Sequence, residues 1–117
     1  MKTLAITLGF AAAFLGLGST ARSAAHPTIE IVASDWKFTP NTIQLHVGQE
    51  TTLHVTSTEG AHGLQSDDLG IPMTMIAPGS PKNVEVTAKN AGKYVLHCAL
   101  VCGAGHANMT LTVNVVP

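Results

Sequence analysis

From Thr28 onward, apolar and polar side chains alternate with the period of two that sends successive residues to opposite faces of a strand. Thr42–Val47 sets Ile43, Leu45 and Val47 against Thr42, Gln44 and His46, and Thr52–Thr56 sets Leu53 and Val55 against His54 and Thr56. Val84 and Val86, then Tyr94, Leu96 and Cys98, then Met109, Leu111, Val113 and Val115 continue the rhythm. Turn-forming stretches separate these runs: Thr39–Asn41, Val47–Glu50, Thr58–Gly63, Ala77–Pro81 and Lys89–Gly92. Short strands between Gly- and Pro-bearing turns, with no convincing amphipathic helix, predict an all-β domain, an antiparallel β-sandwich or barrel.

The first 25 residues break the pattern. Lys2 precedes an apolar run from Leu4 to about Gly18, and small residues follow, the layout of a secretory signal peptide with cleavage after Ala25 or Ala21. The run is shorter than the roughly 20 apolar residues that cross a bilayer. Residues 1–25 are therefore expected to be a signal peptide and 26–117 one exported domain, soluble outside the cytoplasm in the periplasm. The composition of the 117 residues, 45% hydrophobic and 11% charged, fits a single small globular core. Removing Lys2 and Arg22 leaves four lysines against seven acids, a net charge of −3. No basic patch remains to neutralise phosphates, which excludes nucleic acid as a partner class.

Export gives the cysteines a default fate, a disulfide. Both thiols, however, lie in Cys98–Met109, CALVCGAGHANM, with a histidine and a methionine. Strand parity puts Cys98 on the face of Tyr94 and Leu96, and Met109 on the face of Leu111 and Val113. Both should face the core at one end of the sandwich, with Cys102–His106 turning between them. Two thiolates, an imidazole and a thioether form a soft set that suits copper, Cu(I) especially, whereas calcium and magnesium need oxygen ligands. A Cys98–Cys102 disulfide would close a very short loop and leave His106 and Met109 unexplained. A zinc site of His62, Cys98, Cys102 and His106 has the right ligand count but no use for Met109.

The spacing C-x3-C-x3-H-x2-M, with a histidine far upstream, resembles the binuclear CuA loop of subunit II of cytochrome c oxidase and of nitrous-oxide reductase. Phe38–Gln49 is similar to the opening strand pair of cupredoxins, Ala61–Ile71 to the segment bearing the first histidine ligand, and Ala77–Ser80 with Ala91–Cys98 to the strands leading to the first cysteine. The resemblance covers residues 28–116, and the short CuA domains of bacterial ba3-type oxidases are especially similar. It implies a Greek-key β-sandwich of the cupredoxin type in which Cys98 and Cys102 bridge two coppers. His62 and His106 would each ligate one copper, Met109 one weakly, and the backbone carbonyl of Leu100 the other. Many oxidase subunits carry an acid at the position of Leu100 that serves a neighbouring metal, so the extra magnesium site is not expected here.

The function implied is electron transfer, not independent catalysis: a periplasmic carrier passing single electrons between a c-type cytochrome or other redox protein and a terminal oxidase or reductase. In the oxidase family a transmembrane hairpin precedes the domain; here a signal peptide is expected in its place. Two rivals use the same ligands. One is a copper delivery or storage protein; the other is a mononuclear copper protein using His62, Cys102, His106 and Met109, with Cys98 spare. Around the site, Leu64, Ile71 and Val101 are expected as an apolar shell. His46 and His54 should be solvated, His97 should lie at the rim, and Asp67 and Asp68 should form a solvated pair. Trp36 should pack on the sandwich. Met73 and Met75 form an M-x-M pair capable of holding Cu(I), although gap-filling beneath a loop is the expected role. His26, if it became the N-terminal residue, would offer an amine–imidazole chelate weakened by Pro27.

Overall fold

Nine strands form in a computed structural model that describes residues 26–117; the expected signal peptide lies outside the described residues. They are β1 (Thr28–Ser34), β2 (Lys37–Thr39), β3 (Thr42–His46), β4 (Glu50–Ser57), β5 (His62–Ser66), β6 (Ile71–Ile76), β7 (Lys82–Thr87), β8 (Gly92–His97) and β9 (Thr110–Val116). Among the described residues the one helical element is a single 3-10 turn, His106–Asn108.

Two sheets face one another, β2-β1-β4-β7 and β3-β9-β8, and the β5-β6 pair lies at one end. Ile31, Ala33, Phe38, Leu53, Val55, Val84 and Val86 from the first sheet are buried with Ile43, Leu45, Leu96, Leu111, Val113 and Val115 from the second. Each large side chain so buried contributes about 1.5–3 kcal/mol. The all-β sandwich is thus as the alternation predicts, but the pairing is not wholly antiparallel. β1 runs parallel to β4, with Ile29 opposite Leu53 and Ile31 opposite Val55. β3 runs parallel to β9, with Ile43 opposite Val113 and Leu45 opposite Val115. Alternation sets which face a residue takes and is blind to strand direction, since either direction pairs inward residues with inward ones.

Two local expectations also change. Val47 is 38% exposed rather than on the core face, because β3 ends at His46 and Gly48, at φ 76°, turns the chain. Thr58–Gly63 is not all loop, since β5 begins at His62. Gly63 and Ser66 disguise β5 in the sequence, and its ladder with β6 is irregular between Leu64 and Ser66.

Two backbone hydrogen bonds fix the end of the sandwich that carries the cysteines. Cys98 N–H donates to Met109 O at 2.9 Å, closing the mouth of the loop between β8 and β9. Ala99 N–H donates to Gly63 O at 3.0 Å, tying the chain that leaves β8 to β5.

Candidate metal centre

The mouth hydrogen bond continues the β8–β9 ladder, so Cys98 and Met109 face inward, 2% and 0% exposed, as their parity predicts. β5 brings in His62, fully buried, from another part of the chain. One donor atom each of His62, Cys98 and Cys102 lies within 4.8 Å of the other two. The two sulfurs are 3.3 Å apart and both cysteines are free thiols, so the short-loop disulfide is not formed. Cys98 Sγ has His62 Nδ1 at 3.9 Å and the carbonyl oxygen of Leu100 at 3.2 Å. Cys102 Sγ has His106 Nδ1 at 3.6 Å and Met109 Sδ at 3.9 Å. All six donors singled out in the sequence therefore meet, each sulfur with one imidazole and one weaker donor.

The histidine tautomer follows from the surroundings. His62 Nε2–H donates to the carbonyl of Glu59 at 2.6 Å, which leaves the Nδ1 lone pair facing Cys98. Asp35 Oδ1 lies 3.5 Å from the same Nε2. Burial, reinforced by a hydrogen bond from Cys98 and by the charge of that thiol, pushes the Cys102 thiol up to about 11. The metal-free Cys102 thiol thus holds its proton at neutral pH, and a metal ion must displace it, so binding strengthens as pH rises. Two thiols, two imidazole nitrogens, a thioether and a carbonyl fit copper and offer little to a hard cation.

The turn between β1 and β2 supplies residues that the sequence reading does not place here. Trp36 Nε1–H donates to Cys102 O at 2.9 Å, so the indole covers the loop rather than packing on the sandwich. A Cβ on Gly105 would sit 2.5 Å from Trp36 Cγ, and one on Gly103 would sit 2.9 Å from Nε1. Gly103 also takes φ 123°, a conformation that other residues rarely adopt. The glycines at 103 and 105 are the sequence feature from which this neighbour could have been inferred. Nothing in the local pattern marks Asp35 or the Glu59 carbonyl, which reach His62 only through the fold.

The expected apolar shell is two-thirds present. Leu64 and Ile71 are buried, whereas Val101 is 84% exposed, because Leu100 must turn its backbone oxygen inward and the next side chain then points out. Met73 and Met75 are exposed on β6 rather than filling a gap. His46 and His97 are exposed, as expected, and His54 is half-buried against Asn83.

The model of the cupredoxin-like domain matches residues 6–113, most of the chain. The chain belongs to the cupredoxin-like family. Among curated relatives of this cupredoxin, a cytochrome c oxidase subunit 2 of Thermus thermophilus is 32% identical over 88 residues, 75% of this chain and 64% of the relative. A second subunit 2, from a named strain of that organism, has the same identity with 52% of its length covered. The chain thus spans between half and two-thirds of these relatives. The periplasmic domain of subunit II of the cytochrome oxidase of Bradyrhizobium japonicum superposes with a TM-score of 0.70 at 19% identity, covering 79% of this chain and 85% of that one. Auracyanin B superposes with a TM-score of 0.60 at 18% identity, over 78% and 89% of the two chains. At these identities the structural likeness establishes the fold.

Proposed function

We propose that this cupredoxin is a periplasmic electron carrier whose copper centre is binuclear, with Cys98 and Cys102 shared between two ions. The observation that carries the reading is the pairing of donors: His62 and the Leu100 carbonyl beside one sulfur, His106 and Met109 beside the other. A mononuclear site would have no use for the second sulfur with its own imidazole. The similarity to oxidase subunits II supports copper as the metal and a redox protein, such as a c-type cytochrome, as the partner.

When bound, the copper pair would supply a site for one mobile electron, held by His62, Cys98, Cys102, His106, Met109 and the Leu100 carbonyl. The chain's own residues do the rest. The Glu59 carbonyl orients His62, the mouth hydrogen bond holds Cys98 against Met109, and Trp36 fastens the loop through the Cys102 carbonyl. Burial of His62, Cys98 and Met109 excludes water and limits the movement of these ligands. A cage that shifts little between charge states keeps the reorganisation cost of electron transfer low. The same burial favours a carrier over a delivery protein, whose ligands need to be accessible for exchange.

Cys98→Ser separates the binuclear from the mononuclear reading. The variant should fall from two coppers per chain to at most one and lose the absorption of the intact centre. Unchanged copper content and absorption would overturn the proposal and point to a site built on His62, Cys102, His106 and Met109.

A further inference from the structure

Met73 and Met75 are 46% and 57% exposed. They stand two apart on β6 and therefore share one face of the strand. Met75 is the register partner of Gly63 on β5. Met73 reaches toward the same point, its methyl carbon lying 2.9 Å from where a Cβ on Gly63 would sit. That position is also 2.9 Å from Leu100 N and 3.2 Å from the Ala99 carbonyl carbon. Met73 thus lies against Gly63 and the Ala99–Leu100 backbone, and Met75 stands on the same face of β6 with its backbone paired to Gly63. Gly63 directly follows His62, whose ring is buried, and the Leu100 carbonyl lies 3.2 Å from Cys98 Sγ. The methionine pair therefore flanks residues adjacent in sequence to members of the donor cluster.

About half of each methionine is in solvent. The thioether is a soft, neutral donor that selects Cu(I) over harder ions. It carries no proton that a metal must displace. We propose that Met73 and Met75 form a Cu(I) acceptor site on the exposed face of β6 beside Gly63, from which the ion passes to the cysteine centre. The passage, but not the binding, rests on the function proposed above. It is a ligand exchange at constant oxidation state: copper–thioether bonds break, copper–thiolate bonds form, and the displaced thiol protons go to solvent.

The test uses Ag(I), a redox-inert stand-in, added to Cys98→Ser/Cys102→Ser protein labelled at the methionine methyl groups and observed by NMR. The Met73 and Met75 resonances should shift together and saturate near one equivalent, and Met73→Leu/Met75→Leu on the same background should abolish saturation. Resonances that stay still, or that move independently and without saturating, would overturn the site. In the chain with both cysteines, Met73→Leu/Met75→Leu should slow Cu(I) loading while leaving the final copper content unchanged. Equal loading rates would overturn the passage. A chain that passes the silver test but never forms a two-copper centre would contradict the proposed function and leave this site standing.

Discussion

Asp35 shows how much of the centre is decided one residue at a time. Its carboxylate lies 3.5 Å from Nε2 of His62, is about one-third exposed, and comes from a turn distant in sequence from every ligand. A copper centre carries one more positive charge when oxidised than when reduced, and a nearby carboxylate stabilises the more positive form. Asp35→Asn should therefore raise the reduction potential. The expected size is on the order of 1 kcal/mol, the Coulomb energy of unit charges several ångström apart at a partly exposed site, with the effect weakening as salt is added. Protein-film voltammetry of the copper-loaded chain measures it, and an unchanged or lowered potential would show that the carboxylate does not act on the centre. The candidate donors themselves were legible in the sequence because four of the side chains fall within twelve residues and their types are chemically unusual together. Asp35 was not, because only tertiary structure brings it to His62.

At the scale of elements, the loop between β8 and β9 depends on a turn from the other sheet. Trp36 lies so close to Gly105 that a single added methyl group has no room, although the backbone of Gly105, at φ −91°, would accept alanine. Gly105→Ala should thus act purely by overpacking, costing about 1–3 kcal/mol. Its melting temperature should fall and copper should be lost faster to a chelator. Combining it with Trp36→Ala should remove most of the added penalty, since the two residues share one contact. Additive losses in that thermodynamic cycle would show that the indole does not press on the loop. The faces of β3, β4, β7, β8 and β9 were readable from alternation alone, apart from Val47 at the end of β3. β5 and β6 were not, because glycine, proline and exposed methionines blur their period, and parallel pairing leaves no mark on it.

Across the whole molecule, β5, β8, β9 and the β1–β2 turn converge at one end of the sandwich, so the framework and the donor cluster fold as one object. The hydrophobic core needed no knowledge of the metal to be predicted, and the donor set needed no knowledge of the core. Their agreement on where Cys98 and Met109 point is the strongest internal support for the reading. The identity of the electron partner is less legible, since recognition depends on surface shape and charge that no local motif encodes. The central claim is that two copper ions share the paired sulfurs and one unpaired electron. Electron paramagnetic resonance of the copper-reconstituted chain tests it most directly. The account predicts hyperfine structure from an electron divided equally over two copper nuclei; splitting by a single nucleus would contradict it.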